Sequence, residues 1–346
     1  MTLTTVHDKI AATAPHRGDI RAELSALLTD CGVYSLAGRA KISVRGADRT
    51  RWLNGMITNN IRDLGPERGV YAFLLNSQGH ILGDLYAYNR GEDLMLDTDQ
   101  AQLAKLLATF DHYIIMDDVE VEDKSDKLTA LGVSGPKSQV VLQAGGFALP
   151  AAEALQSFHI LWQGLSVTVV RGDNPAVESW ELWLDPAQAE LVRQAILAAG
   201  AKPVGSEALD LLRIAAGLPR YGQDIRERDL PQETGQQRAL HFSKGCYIGQ
   251  EIVERIRSRG AVHRTFTGFR VREGLPAPGA TIQCEGKEVG EITSSASLPG
   301  SAGEMLVALG YLRREAALPG KKLSAGGSQL AIAVLPFAEI FAQKNH

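Results

Sequence analysis

The 346-residue sequence has few cysteines, no long apolar run and no strong excess of one charge. Its three cysteines, Cys31, Cys246 and Cys284, are far apart and form no CxxC pair, which argues against a disulfide framework and a self-contained zinc or iron–sulfur site. The longest apolar run near the C-terminus spans only residues 330–335, whereas a membrane-spanning helix needs about 20 residues. We therefore expect a protein of the reducing cytoplasm that does not cross a membrane.

Several other signatures are missing. The first 20 residues hold no basic flank followed by an apolar stretch, so no secretory signal is predicted. The histidines form no HxxxH or HxH pair, and no glycine-rich phosphate loop stands between a strand and a helix. A mononuclear metal site and a nucleotide cofactor are therefore not expected. The net charge of −4 gives no reason to expect DNA as a partner.

Hydrophobic periodicity predicts an α+β protein of two or three domains. In the first third, residues 70–76 and 80–88 read as strands of a hairpin, and residues 100–110 have the spacing of an amphipathic helix. The middle third repeats this mixture, which indicates α+β layers rather than a doubly wound parallel sheet. After about residue 262, turn clusters at short intervals predict an all-β barrel or sandwich of about 80 residues, with a boundary near residues 259–262.

One segment is strongly basic. Residues 238–272 contain eight lysines and arginines against two acids, a net charge of +6 on an otherwise acidic chain. Its central run is Arg255, Arg257, Arg259, His263 and Arg264. This run suits the phosphates of RNA or the carboxylates of a folate tail, or else forms a solvated face beside the domain boundary. Aromatic residues are sparse there, which weakens an RNA-reading role.

Residues 244–251, KGCYIGQE, hold the most informative cysteine. Cys246 stands between two glycines and near Lys244, and a helix starting near Tyr247 would place its thiol at a helix N-terminus. Such surroundings favour a thiolate, which can attack, bind a metal ion or contact a cluster. The alternative is a small buried residue, and we assign that role to Cys31 and Cys284.

These residues carry a family resemblance. KGCYIGQE matches the K-G-C-F/Y-x-G-Q-E signature of the YgfZ family, which resembles the folate-binding T-protein of the glycine cleavage system and includes a mitochondrial factor of late iron–sulfur assembly. The agreement extends to residues 51–61 (RWLNGMITNNI), 74–88 (LLNSQGHILGDLYAY) and 217–225 (GLPRYGQDI). The order and spacing fit along nearly the whole chain.

The resemblance implies a ring of three domains around a central hole that binds tetrahydrofolate. Two are ferredoxin-like α+β units, interleaved within residues 1–260, and the third is a β-barrel at residues 261–346. It implies an accessory protein for iron–sulfur cluster assembly or repair that supports cluster enzymes, including tRNA-modifying ones. The expected partners are assembly machinery or client enzymes, with tRNA weakly supported. No permanently bound metal is expected, and a cluster contact at Cys246 would need a partner or a second copy of the chain.

The resemblance also assigns residues. Asp84 stands where the T-protein has the acid that engages folate, although this chain has Gly83–Asp84 where the T-protein often has two acids. Ala215 replaces the glutamate that pairs with the pterin, so folate binding is weaker, uses another acid such as Glu233, or is lost. Cys246 and Asp84 are the candidate catalytic residues. The candidate folate-binding set is Asp84, Asn76, Arg220, Tyr221, Glu233, Lys244, Tyr247, Gln250 and Glu251.

Two rival functions remain open from the sequence. One is a tetrahydrofolate-dependent aminomethyltransferase or demethylase that uses Asp84 to orient a one-carbon adduct, against which Cys246 and Ala215 count. The other is an RNA-binding protein acting on tRNA through the basic segment.

Overall fold

A computed structural model describes residues 18–260, 262–300 and 303–341 of the chain. The stretch examined for a secretory signal therefore lies almost entirely outside the described residues. Two open β-sheets and a closed six-stranded barrel organise the molecule, which confirms the α+β prediction and the C-terminal barrel. None of the helices within these ranges is long and apolar enough to cross a membrane.

The elements follow one another in three stretches. Up to residue 123 they are α1 (Ile20–Thr29), β1 (Gly32–Ser35), β2 (Arg39–Arg45), α2 (Arg49–Met56), β3 (Arg68–Leu75), β4 (Ile81–Asn89), β5 (Leu94–Asp99), α3 (Leu103–Tyr113) and β6 (Glu120–Asp123). The second stretch holds β7 (Thr129–Ser134), α4 (Ser138–Ala144), β8 (Ser157–Trp162), β9 (Leu165–Arg171), β10 (Ser179–Leu184), α5 (Ala189–Ala198), β11 (Lys202–Pro203) and α6 (Ser206–Ala216). The third holds α7 (Gln250–Arg259), β12 (Arg264–Val271), β13 (Thr281–Cys284), β14 (Lys287–Gly300), β15 (Gly303–Arg313), β16 (Leu323–Ala325), β17 (Ser328–Ala333) and α8 (Ala338–Phe341).

The two open sheets are interleaved along the chain. The first sheet unit has the strand order β3-β4-β5-β2-β6 and carries α2 and α3. The second sheet unit has the order β11-β1-β7-β10-β9-β8, so that β1 precedes the first sheet and the other five strands follow it. The barrel closes in the order β12-β15-β14-β13-β16-β17. The predicted division at residues 260 and 261 stays a prediction, and the first barrel strand begins at Arg264.

Simple periodicities explain why the first unit forms. In α3, Leu103, Leu106 and Phe110 lie on one face and are buried against the sheet. In β4, alternate residues such as Leu85 and Ala87 point into this core. Because side chains alternate along a strand, Asp84 is turned away from that core. The alternation thus places a carboxylate on the face against which the rest of the molecule packs.

The second sheet unit contacts both the first sheet unit and the barrel, and the linker connects the first sheet unit to the barrel. The two sheets meet where Tyr88 packs edge-on against Trp183, with ring centroids 5.1 Å apart. Helices α1 and α6 share an apolar cluster with β12, β14 and β15 of the barrel. The linker, residues 217–262, packs against the β3–β4 hairpin and is joined to the barrel by the Arg226–Glu291 ion pair at 2.8 Å. This arrangement is the predicted ring, and it leaves a cavity between the units.

Candidate functional site

A cavity of about 470 Å³ lies where the second sheet unit, the linker and the barrel meet. Its wall consists of Asp173, Pro175, Ala216, Gly217, Leu218, Thr234, Gly235, Gln236, Gln237, Arg238, Phe266, Leu335 and Pro336. Most of this wall is apolar or amide-bearing, and its two charged residues are Asp173 and Arg238. Small-molecule sites have volumes of roughly 300–1,000 Å³ and a few polar groups that fix the orientation of the ligand. The cavity has both properties.

Arg238 organises the charged side of the cavity. Its guanidinium group is ion-paired with Asp173 and lies 4.4 Å from the centroid of the Tyr71 ring and 5.9 Å from that of Tyr86. The Tyr86 hydroxyl donates a hydrogen bond of 3.1 Å to Asp173. Cation–π contact and the ion pair together fix the guanidinium group. The sequence analysis missed both Arg238 and Asp173 as site residues, although Arg238 belongs to the basic segment.

Asp84 lies behind this wall and is held by two hydrogen bonds. The Tyr71 hydroxyl donates to Asp84 Oδ2 at 2.7 Å, and Gln102 Nε2 donates to Asp84 Oδ1, also at 2.7 Å. Burial, reinforced by the Asp84 carboxylate, raises the pKa of Tyr71 well above its usual range, so the phenol stays a proton donor. Asp84 is therefore connected to the cavity wall through Tyr71, whose hydroxyl binds the Asp84 carboxylate and whose ring contacts the Arg238 guanidinium group.

The Gly83–Asp84 pair has a local explanation. A Cβ atom at position 83 would lie 2.8 Å from Gln102 Oε1, the atom that accepts the hydrogen bond from the Asp84 backbone amide. A second acid at this position would therefore displace Gln102, which also binds the Asp84 carboxylate. A single, firmly held carboxylate is the arrangement that this chain allows.

The two positions that the sequence analysis connected with pterin binding, Ala215 and Glu233, do not line the cavity. Ala215 is fully buried in the apolar cluster between α6 and the barrel, and its carbonyl accepts a hydrogen bond from the Phe337 amide at 3.0 Å. The Glu233 carboxylate is buried and accepts hydrogen bonds from Arg264 at 3.0 Å and from the Leu230 amide at 3.2 Å. Neither residue is part of the cavity wall. The alternative in which Glu233 replaces the missing glutamate therefore has no support from this geometry.

Two further candidates fasten the linker to its surroundings. Arg220 pairs with Asp210 at 3.1 Å. The Tyr221 hydroxyl donates to the Leu82 carbonyl and accepts from Lys105 Nζ, both at 2.6 Å. Both residues are outside the cavity wall. Their contacts hold the linker in place, and a direct role in binding stays a prediction.

The remaining candidates shape the loop around Cys246. Asn76 Oδ1 accepts hydrogen bonds from the Gln78 and His80 amides and so closes the β3–β4 turn. Tyr247 is buried against that hairpin, and its amide donates to Gln250 Oε1 at 3.2 Å. Glu251 is exposed at the start of α7.

Lys244 precedes Cys246 in the loop, and its side chain binds the end of α2. Its side chain is buried, and Nζ donates to the backbone carbonyls of Asn54, Ile57 and Asn59 at 2.6–2.7 Å. Burial lowers the pKa of Lys244 to about 7. The ammonium group therefore binds the C-terminal end of α2, where the helix dipole favours a cation, rather than the thiol. All three hydrogen bonds of Nζ thus go to backbone carbonyls, and the predicted influence of Lys244 on the Cys246 thiol stays a prediction.

The predicted helix start near Tyr247 is wrong. Helix α7 begins at Gln250, with Gly249 as its N-cap at a φ of 80°. A Cβ atom on Gly249 would lie 2.6 Å from the Asn76 carbonyl oxygen. The glycine therefore lets the loop approach the β3–β4 turn closely, and a helix running through this position would prevent that contact. Cys246 lies in the loop before the helix.

Cys246 is exposed, whereas Cys31 and Cys284 are buried. Two contacts with α2 flank it: the Lys244 side chain binds the end of the helix, and the Ile248 backbone amide donates to the Gly55 carbonyl at 3.2 Å. The thiol is thus displayed on a clamped loop, and Cys246 is not part of the cavity wall. Burial, with a smaller contribution from Asp30, raises the pKa of Cys31 to about 12.

The basic segment does not form one surface. Lys244 is buried, Arg238 is paired with Asp173, Arg264 with Asp229 at 2.6 Å, and Arg270 with Glu339 at 2.6 Å. Arg255 is exposed, and the Arg257 guanidinium group lies 5.0 Å from the ring centroid of Phe242. Ion pairing within the protein thus neutralises much of the charge that an RNA would require.

No group of three or more histidine, cysteine, aspartate or glutamate side chains that could hold a metal ion occurs within residues 18–260, 262–300 and 303–341.

Known proteins resemble this chain in sequence and in fold. Residues 11–244 match the family described as the GCVT N-terminal domain. The chain is 29% identical to an aminomethyltransferase of Rubrobacter xylanophilus, over 81% of this chain and 76% of that protein. It is 30% identical to an aminomethyltransferase of Geobacillus kaustophilus, over 81% and 79%. A putative chloroplastic transferase of Arabidopsis thaliana is 26% identical, over 85% and 68%.

A solved structure has the same fold. The glycine cleavage system aminomethyltransferase T from Bartonella henselae superimposes with a TM-score of 0.83, over 93% of this chain and 90% of that one, at 22% identity. Because the family match covers about two thirds of the sequence and the shared fold covers nearly all of it, the chain belongs to the GCVT N-terminal domain family.

Proposed function

We propose that the cavity binds tetrahydrofolate. The curated relatives are named aminomethyltransferases, and the cavity combines a suitable volume with two charged wall residues, of which Arg238 stacks on the Tyr71 ring. Arg238 and Asp173 would hold the polar groups of the ligand, and Asp84 would orient them through Tyr71. Bound folate supplies a one-carbon carrier. The residues fit such a ligand, with Ala215 contributing no pterin contact.

Within the family, we propose that the chain is of the YgfZ type and acts in the cytoplasm as an accessory protein for iron–sulfur cluster assembly or repair. The observation that carries this proposal is the exposed Cys246, displayed on a clamped loop in the KGCYIGQE segment. One thiol supplies one ligand or one nucleophile, so partner residues complete any cluster contact. Its clients would be cluster enzymes, including those that modify tRNA.

A second candidate is a tetrahydrofolate-dependent aminomethyltransferase or demethylase. The names of the curated relatives favour it, as does the carboxylate of Asp84 fixed by Tyr71 and Gln102. Ala215 counts against it, because a methyl group accepts no hydrogen bond from a pterin. Cys246 would have no role in such a reaction.

A deletion strain complemented with variants tests the first candidate. We expect wild type and Cys284→Ala to restore the activity of iron–sulfur enzymes, and Cys246→Ala to fail at equal protein level. Cys284 is the matched control because it is a buried cysteine of the barrel. Full rescue by Cys246→Ala would contradict the accessory role and favour the folate enzyme.

Two purified assays test the rivals. An aminomethyltransferase should transfer its one-carbon unit with folate and a lipoyl carrier protein, and an accessory protein should not. A tRNA-binding protein should show affinity that falls steeply with salt, since counterion release dominates such binding. Transfer activity at enzymatic rates would make the second candidate the function.

A further inference from the structure

One short turn contacts both the cavity wall and the loop that displays Cys246. This turn, residues 57–59, follows α2, and all three of its residues are buried. Its side chains and carbonyls bond to residues of the linker on either side of residue 240. The two sites, which share no wall residue, are therefore joined by one buried set of hydrogen bonds.

On the cavity side, Asn59 is the connecting residue. Its Nδ2 atom donates to the Arg238 carbonyl and to the Tyr71 carbonyl, both at 2.8 Å. Arg238 and Tyr71 are also stacked on each other through their side chains. Thr58 adds a parallel contact, because its hydroxyl donates to the Ala239 carbonyl at 2.6 Å. Any displacement of the Arg238 backbone therefore acts on this turn.

On the thiol side, the turn holds Lys244. The Ile57 and Asn59 carbonyls each accept a hydrogen bond of 2.7 Å from Lys244 Nζ. A buried ammonium group needs all three of its N–H groups satisfied, since an unpaired charged donor is costly away from water. The position of Asn59 thus controls one of the three bonds that fix the loop of Cys246.

We propose that residues 57–59 couple the cavity to the Cys246 loop, with Asn59 and Lys244 as positioning residues that transmit a change at Arg238 to the segment displaying the thiol. A ligand that restrains Arg238 tightens the turn and the loop. A gap at Arg238 loosens both. The ligand-dependent half of this proposal rests on the proposed folate function, and the ligand-free half does not.

The ligand-free test is a double-mutant cycle read by hydrogen exchange of the peptide covering residues 242–249. We expect Arg238→Ala to speed hydrogen exchange of this peptide at least threefold in the otherwise wild-type protein. In the Lys244→Met background, the same substitution should speed exchange less than twofold. The cycle isolates the coupling between two residues that are not in contact. Control substitutions are Asn60→Ala, on the residue next to the turn, and Lys137→Met, at an exposed lysine. Exchange unchanged within twofold in Arg238→Ala would overturn the proposal.

The ligand test uses 5-formyltetrahydrofolate, with binding measured separately by calorimetry. We expect saturating ligand to slow exchange of the same peptide at least threefold in wild type and to leave it unchanged in Asn59→Ala. If the ligand binds but hydrogen exchange of the peptide in the wild type does not change, the coupling is overturned while the proposed folate site is supported. If the ligand does not bind but the double-mutant cycle shows the expected coupling, the proposed folate function is contradicted and the coupling through residues 57–59 is supported.

Folding of the variants is checked by melting temperature and by protection of Cys31, which is buried in the second sheet unit. If Asn59→Ala does not fold, Asn59→Asp replaces it, since aspartate keeps the size of the side chain and removes its two N–H donors. A general loosening would expose Cys31 together with the loop, whereas the proposed coupling leaves Cys31 protected.

Discussion

The β3–β4 hairpin and the Cys246 loop are both marked by sequence motifs, yet the protein uses them differently. In the hairpin, the alternation of side chains along the strand turns Asp84 away from the core, so the face of the sheet on which it lies depends only on its position in the strand. In the loop no such period exists, and contacts with α2 and the hairpin turn decide which side chain is buried. As a result the side chain of Lys244, which carries a charge, is buried, whereas the less polar side chain of Cys246 is exposed. A sequence motif therefore predicts which side chains are buried better in regular structure than in a loop.

Labelling the cysteines of the native protein tests whether the loop exposes Cys246 while the other two cysteines stay buried. We expect Cys246 to alkylate at least about a thousandfold faster than Cys31, because the buried thiol reacts only after unfolding that costs about 5 kcal/mol or more. Peptide mass spectrometry after graded labelling gives the ratio. First reaction at Cys31 or Cys284 would show that the loop is not displayed as described.

Lys244→Met tests the buried anchor. We expect a loss of about 2–4 kcal/mol in the free energy of unfolding, because three buried carbonyls lose their donor. Urea unfolding at several pH values measures it, with Lys137→Met as the exposed control.

The pH dependence of this difference has a definite sign. The pKa of Lys244 is lowered from 10.5 to about 7 in the folded protein, so between these values the unfolded chain binds a proton that the folded chain does not. Wild-type stability relative to Lys244→Met should therefore rise with pH in this window, by at most about 1.4 kcal/mol per pH unit, and stay level below it. A difference that falls with rising pH would contradict the assigned burial.

Asp84→Asn tests the hairpin side. We expect folate affinity to fall roughly 10- to 100-fold, because Tyr71 and Gln102 lose a charged hydrogen-bond acceptor worth about 1.5–3 kcal/mol and Tyr71 no longer holds Arg238 in the binding position. Calorimetry with 5-formyltetrahydrofolate measures it. Asp63→Asn, which alters a carboxylate that contacts only the neighbouring Asn60 amide in the described hydrogen bonds, is the control. Equal affinity for wild type and Asp84→Asn would remove Asp84 from the site.

The smallest effect is expected at the contact between the two regions. Gly249 has a φ of 80° and faces the Asn76 carbonyl, so Gly249→Ala should destabilise the protein by about 1–3 kcal/mol. Gly235→Ala is a matched control, because Gly235 has a φ of 71° with open space around its Cβ position. Equal losses in the two variants would show that backbone strain, and not the close approach, explains Gly249.

Part of the site was predictable and part was not. The hairpin, helix α3 and the barrel followed from periodicity and turn residues, which act locally. Helix α7 was assigned too early a start, because the close approach of Gly249 to Asn76 is a contact between residues far apart in sequence. Asp173 gave no signal at all, since it follows β9 in an ordinary polar turn and becomes a wall residue only by pairing with Arg238.

The α+β architecture and the barrel could be predicted from the sequence alone, because hydrophobic period and turn spacing are local properties, whereas the roles of Asp84 and Cys246 stay predictions. The partners of the charged side chains, by contrast, depend on tertiary packing. Polar groups of the protein bind Lys244, Glu233 and Arg264, and the ion pair with Asp173 holds Arg238 at the cavity wall. A buried charge must be satisfied by whichever group the fold brings near it, and that group is fixed by packing rather than by neighbours in the chain.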